Sequence, residues 1–321
     1  MIVAVDLGSN TLRGVQWECL EGAKGYFEEI VRLGEGVWER GYISEEAVER
    51  VIGGLNRLKK EFNLTGPELK RVKGIGTEAL RRAKNRNWVL GQIRRATGIR
   101  IKVISPSREA FLGTIGVERC LQLHNFEEHR HFLMVDIGGG STEITFRHRE
   151  GVVSKSFPIG IVKLAEQFRT PDRIALHLRG YRPLFREFFQ NLYARFRKPK
   201  ILVGSSGTPT TLANLKQGGT YFTYDRFKVN GTVLTEEEIR EWYNRLLGME
   251  MVKREELVGV GRGDLIGAGI QLLLEVMRSA QFRQIVACND GVLEGVVVEE
   301  CRRLELKEKG ELLKKLRSGG R

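Results

Sequence analysis

The chain has 321 residues, enough for two domains with a buried core each, and its 41% hydrophobic and 29% charged composition is that of a globular protein. No uncharged apolar run is long enough to cross a bilayer, and the opening MIVAVDLGSN lacks a secretory signal's basic region and cleavage site, so a cytoplasmic, non-membrane protein is expected. The net charge of +13 gathers in two blocks, 11 basic residues against one acid from Lys70 to Lys102 and nine against two from Arg169 to Lys200, which favours a polyanionic partner over a merely solvated basic surface.

In chain order, IVAV, DLGSN and TLRGVQW read as strand, turn, strand. A helix is predicted from Glu45 to Phe62, with Ser44 as N-cap and Val48, Val51, Ile52, Leu55, Leu58 and Phe62 on one face. VKGIGTEAL is a strand entering a turn, NWVLGQIRRATG a helix ending at Gly98, and IRIKVIS a strand. A short helix through REAFLGTIGVERCLQL leads to His124, His129 and His131, whose spacing fits no common metal pattern and suggests a solvated connection. The domains are therefore expected at 1–124 and 125–321, with the last helix free to pack back on the first domain. HFLMVD, GGGSTE and ITFRH repeat the strand–turn–strand pattern. Further on, KILVG runs into a Gly/Ser/Thr turn that opens a helix, and TEEEIREWYNRLL carries a capping box from Thr235 to Glu238. A helix from Asp264 to Arg278, a strand in QIVACNDG and a helix from Val296 to Leu316 complete the chain, with the basic tail KKLRSGGR expected to fray. The four cysteines are scattered without a CxxC pair, which argues against zinc and fits a reducing compartment.

The repeat carries the chemistry. Residues 2–18 and 132–147 share an apolar strand, an Asp, a Gly-rich turn and a second strand. Backbone N–H groups in such a turn can converge on phosphate oxygens, which nominates Gly8, Ser9 and Asn10 in one copy and Gly138, Gly139, Gly140 and Ser141 in the other. A Walker loop would need a following Lys, and a dinucleotide fingerprint would open a helix, so both are excluded. Asp6 and Asp136 end their strands beside the turns. A carboxylate near phosphates calls for a cation, Mg²⁺ or Mn²⁺; the competing reading is that each Asp caps its own turn.

Seven segments in order, VDLGSNTLRG, RLGEGV, GIGTEALRRAKN, VISPSREAFLGTIGV, VDIGGGSTEITF, FPIGIVKLAEQF and VGSSGTPTTLANL, resemble the exopolyphosphatase / guanosine pentaphosphate phosphohydrolase (Ppx/GppA) family in its short two-domain form. The resemblance implies an α/β fold of two actin-like (ribonuclease H-like) domains, each a mixed sheet with flanking helices, with an interdomain cleft. It also implies a hydrolase releasing terminal phosphate from polyphosphate or from pppGpp, and a homodimer. By the same resemblance Glu109 and Glu143 are catalytic, Glu143 is a further candidate metal ligand with Asp6 and Asp136, and Arg81 grips phosphate with Arg13 and Arg32 in support. Gly207 and Thr208, in the third turn, would line the cleft or bind a guanosine moiety. The chain departs from the family at Pro106 and Arg108, which alters the loop presenting Glu109, and at Ser206, Asn289 and Leu293. Two other classes stay open: a non-catalytic sensor of guanosine tetra- or pentaphosphate or polyphosphate, and an ATPase or kinase of the actin-like class. No nucleic-acid motif accompanies the charge.

Overall fold

The apolar run at the N-terminus forms β1 (Ile2–Leu7), with five of its six residues buried. A strand covered on both faces needs no polar alternation, which is why IVAV is continuous. The computed structural model describes residues 1–205 and 207–318, side chains at 38 and 308–318 excepted. Ser206 and the end of the KKLRSGGR tail lie outside the described residues. Contacts divide the chain into two units, 1–116 with 291–321, and 117–290.

In the first unit β1 is the centre of a five-stranded sheet. Antiparallel β2 (Thr11–Glu18) and β3 (Gly22–Ile30) lie to one side, and parallel β4 (Val72–Gly76) and β5 (Ile101–Val103) to the other. Side chains alternate across the sheet. Val3, Val5 and Leu7 join a core with the helices α1 (Val37–Arg40), α2 (Glu45–Glu61), α3 (Glu78–Arg82) and α4 (Arg86–Thr97). Ile2 and Ala4 face a second core, with Leu112 and Ile115 of α5 (Pro106–Leu123) and Leu293 and Val297 of the C-terminal helix (Val292–Ser318). The Ser44 hydroxyl caps α2 by accepting from the Ala47 amide at 3.2 Å, and Gly98, at φ 77°, ends α4 as its left-handed C-cap.

The second unit repeats the arrangement. β6 (Phe132–Ile137) has the same burial pattern as β1 and lies between antiparallel β7 (Thr142–His148) with β8 (Gly151–Phe157) beyond it, and parallel β9 (Ile201–Ser205). β11 (Gln284–Cys288) and β10 (Val233–Thr235) extend that side. Leu133, Val135 and Ile137 pack with α6 (Ile161–Phe168), α7 (Pro171–Arg195), α8 (Gly207–Lys216), α10 (Glu236–Leu247), α11 (Met251–Val258) and α12 (Gly263–Ser279), while the short α9 (Arg226–Val229) adds Val229. Phe132 and Met134 face a smaller core with Val117, Cys120 and Leu121 of α5. The Thr235–Glu238 capping box forms, at 3.2 and 2.9 Å. The C-terminal helix, Val292–Ser318, is α13.

Three features depart from the sequence reading. The REAFLGTIGVERCLQL helix is a full 18-residue α5, and the chain changes unit at Gly116/Val117 inside it rather than at 124/125. An uninterrupted helix carries no change of composition to mark that crossing. The basic block at 169–200 is mostly one 25-residue helix, α7, running through Pro183. The cysteines are not all separate thiols: Cys19, just after β2, is disulfide-bonded to Cys301 of α13 across 282 residues, with Cα atoms 5.5 Å apart. Trp17 and Cys301 belong to one core, so packing brings together two residues that no local spacing relates. Among the described residues no single helix is long and apolar enough to span a membrane.

Candidate active site

The two Gly-rich turns are built alike. The Gly8 amide donates to the Thr11 carbonyl at 3.0 Å, and the Gly138 amide to the Ser141 carbonyl at 2.9 Å. Each turn is then buttressed by the segment that follows the third strand of its unit. In the first unit, Val31 and Arg32 donate to the Asn10 carbonyl, and Gly34 donates to that of Ser9. Arg32 reaches this position only at φ 47°, a left-handed conformation that an arginine rarely adopts. In the second unit Ile161 donates to Gly138, and Val162 and Lys163 to Gly139, at the start of α6. Gly160 is required there, because a Cβ on it would stand 2.5 Å from the backbone of Gly139 and Gly140. With their carbonyls engaged in this way, the turns offer N–H groups to an approaching anion.

Strand register places the charged side chains. In each hairpin the residue seven positions after the Asp lies directly opposite it: Arg13 against Asp6, and Glu143 against Asp136. The third strands add Glu28 opposite Arg13 and Ser156 opposite Glu143. Directly opposed residues project from the same sheet face. The duplicated scaffold thus carries Asp–Arg–Glu in the first unit and Asp–Glu–Ser in the second.

In the first unit Asp6 lies on the face shared by Ile2 and Ala4, the face covered by α5 and α13. The Asp6 Oδ1 atom is shielded from solvent and has no hydrogen-bond partner. Burial pushes its carboxyl up to about 7; Arg13 opposes that rise, and Glu109 and Glu294, at the starts of α5 and α13, add to it. Glu294 is 2% exposed and accepts the Gly291 amide at 2.7 Å. Glu109 accepts from Arg81 Nη1 at 2.7 Å, and the same nitrogen donates to the Ile104 carbonyl at 3.0 Å. That pair fixes Arg81 beside the predicted catalytic carboxylate. Arg13 forms a solvent-exposed pair with Glu28 at 3.5 Å. The departures from the family have plain structural roles: Pro106 is the first residue of α5, a position that tolerates proline, and Arg108 pairs with Glu299 of α13 rather than with Glu109.

In the second unit Glu143 Oε1 accepts from two hydroxyls, Ser141 at 2.8 Å and Ser156 at 2.7 Å. Asp136 lies beside it across the β6–β7 ladder, and Ser205 lies on the other side of Asp136 across β6–β9. β9 therefore delivers the third turn next to Asp136, with Gly207 opening α8. The Arg262 guanidinium sits over Gly207, 2.8 Å from where a Cβ would be. Thr208 is buried, with its hydroxyl against Gly269 of α12. Both basic blocks are partly engaged in internal pairs, such as Lys73–Glu300 at 2.8 Å and Arg182–Glu275 at 2.7 Å. Sequence reasoning passed over Glu294, Ser156 and Arg262; only for Ser156 did a signal exist, the strand that must follow β7 in a duplicated unit.

The comparisons with known proteins agree with this architecture. The model of the Ppx/GppA phosphatase family matches residues 27–304. Exopolyphosphatase 2 of Mycobacterium tuberculosis is 29% identical over 318 residues, covering 92% of this chain and 97% of that protein. A bifunctional 3-dehydroquinate synthase/phosphatase of Fusobacterium nucleatum is 29% identical over 278 residues, but the match spans only 41% of that longer protein. The type II crystal structure of the Aquifex aeolicus Ppx/GppA phosphatase superposes with a TM-score of 0.75 at 28% identity, over 93% of this chain and 98% of that one. Two mixed sheets of matching strand order, two Asp-bearing hairpins and a family match over most of the length lead to one conclusion: the chain belongs to the Ppx/GppA phosphatase family.

Proposed function

We propose that the protein is an exophosphohydrolase that releases terminal orthophosphate from inorganic polyphosphate, from pppGpp, or from both. The observation that carries this reading is Glu143, a carboxylate fixed at one oxygen by two hydroxyls beside a turn that offers N–H groups to an anion. Both hydroxyls converge on Oε1, so the Oε2 lone pairs are left for a water. The oriented water attacks the terminal phosphorus; its proton passes to Glu143, the new P–O bond forms, and the bridging P–O bond breaks toward the remaining chain. Phosphoryl transfer of this kind asks the protein for positioning and charge neutralisation more than for covalent chemistry. Gly138 to Gly140 and Ser141, with Gly8, Ser9 and Asn10, supply donors to phosphate oxygens. Arg81, held against Glu109 and the Ile104 carbonyl, supplies positive charge in the first unit, with Arg13 and Arg32 in support; of the third turn, Gly207 is the part a guanosine would reach, whereas Thr208 is packed against α12 and serves the fold.

The residues fit a divalent cation. A shielded Asp6 oxygen without a donor, raised further by two acidic neighbours, is a setting that a cation relieves. Among the described residues no group of three or more His, Cys, Asp or Glu side chains converges on a metal position, so each unit would offer its own carboxylates, Asp6 in the first and Asp136 with Glu143 as a further candidate in the second, and substrate oxygens and water would do the rest. That is the coordination Mg²⁺ favours, and when bound it would neutralise phosphate charge. Phosphate release measured side by side on polyphosphate, pppGpp and ATP tests the reading. Turnover of polyphosphate or pppGpp that exceeds turnover of ATP supports it, whereas binding of either without release would make the protein a sensor.

A further inference from the structure

Ser156 lies on β8, the edge strand of the second sheet, and is exposed to solvent. An exposed serine on an edge strand ordinarily bonds water. This one is the cross-strand partner of Glu143, and its hydroxyl donates to Glu143 Oε1 at 2.7 Å. Two residues further along the ladder, Thr145 and Ser154 form the next opposed pair on that face, with their hydroxyls 2.9 Å apart. Ser154 is therefore an internal comparison, with the same residue type on the same strand and face but no contact with the carboxylate.

Glu143 has a second donor, Ser141, but the two hydroxyls differ in what else they can reach. Ser141 belongs to the glycine turn, and a phosphate bound there competes with Glu143 for its hydroxyl. Ser156 is a strand away and has no such alternative. We propose that Ser156 is the positioning residue for Glu143 in the substrate complex: it holds Oε1 when Ser141 turns to phosphate, so that Oε2 stays aimed at the attacking water. This rests on the reading of Glu143 as the group that takes the water's proton. It also gives the edge strand a part in the chemistry that the turn sequence alone does not reveal.

The experiment compares wild type with Ser156→Ala, Ser156→Thr and Ser154→Ala by steady-state kinetics on polyphosphate with Mg²⁺ and by crystallography of wild type and Ser156→Ala with inorganic phosphate bound. A charge-assisted hydrogen bond of this kind predicts a fall in kcat of roughly tenfold or more in Ser156→Ala with KM little changed, because the lost contact orients the nucleophile rather than binding substrate. Thr keeps the hydroxyl and suits a strand, so Ser156→Thr should restore most of the rate. Ser154→Ala should match wild type in rate, although it melts lower because the buried Thr145 hydroxyl loses its partner, and both Ser156 variants should keep the wild-type melting temperature. An unchanged kcat in Ser156→Ala, equal losses in Ser154→Ala, or a Glu143 carboxylate that keeps its position in the phosphate-bound Ser156→Ala crystal would each overturn the proposal. A wild type that hydrolyses none of the phosphate substrates would refute the functional reading instead, and the crystallographic comparison would still decide whether Ser156 holds Glu143.

Discussion

Replacing Asp6 by Asn should stabilise the protein above neutral pH, even though it removes a residue assigned to the site. Asp6 Oδ1 is shielded and without a partner, and burial, reinforced by Glu109 and Glu294 against Arg13, pushes the carboxyl up to about 7. In the unfolded chain an Asp titrates near 4. The folded state therefore binds more protons between those values, so the group's contribution is fully present below about pH 4 and is lost as pH rises through 7. A shift of roughly three units at ~1.4 kcal/mol each sets an upper limit of about 4 kcal/mol. Partial solvation of the residue lowers that figure, and about 2 kcal/mol is a reasonable expectation. Asn keeps the shape and removes the charge. Thermal melts at pH 8 should therefore place Asp6→Asn several degrees above wild type, with the difference vanishing near pH 4. Added Mg²⁺ should raise the wild-type melting temperature at pH 8 and raise that of Asp6→Asn much less, since binding to the folded state alone shifts the equilibrium. Equal melting temperatures at pH 8, or a difference that does not change with pH, would mean that Asp6 carries no such cost of ionisation in the folded protein.

The buttress of the second turn predicts opposite outcomes at two glycines. Gly160→Ala drives a Cβ into the Gly139 and Gly140 backbone and should cost about 1–3 kcal/mol together with most of the activity, whereas Gly140→Ala meets nothing within 4 Å and should leave the melting temperature almost unchanged. The Cys19–Cys301 bridge predicts that alkylation of the denatured, unreduced protein labels Cys120 and Cys288 alone, and that reduction or Cys301→Ser lowers the melting temperature, with roughly 5 kcal/mol as the ceiling from loop closure. Labelling of all four cysteines before reduction would remove the bridge from the account.

What the sequence made legible follows from how local the physical signal was. α2 could be read because its Ser44 cap and its apolar spacing occur within one stretch, and β1 and β6 because strands buried on both faces have unbroken apolar runs. β3 and β8 were not legible: GAKGYFEEI and GVVSKSF are largely exposed or half-exposed and show no clean alternation. α7 was hidden by its basic residues and Pro183, which read as a charge block. The Asp and the turn could be nominated because one hairpin holds both, whereas the role of Glu143 was given by the family resemblance. Glu109 came from the family resemblance, and its pairing with Arg81, 28 residues away, appears only in the fold. The acidic surroundings of Asp6 depend on the starts of α5 and α13, and the disulfide on a core shared by β2 and α13; neither leaves a trace in local spacing.

In the proposed reaction Glu143 takes the proton of the attacking water. The most direct test of that role is the rate of orthophosphate release from polyphosphate with Mg²⁺ in wild type and in Glu143→Gln, a change that keeps the side chain's shape and removes its basicity. Glu143→Gln should lower that rate at least about a hundredfold with the melting temperature preserved. A Glu143→Gln variant that folds normally and releases phosphate at the wild-type rate would contradict that role.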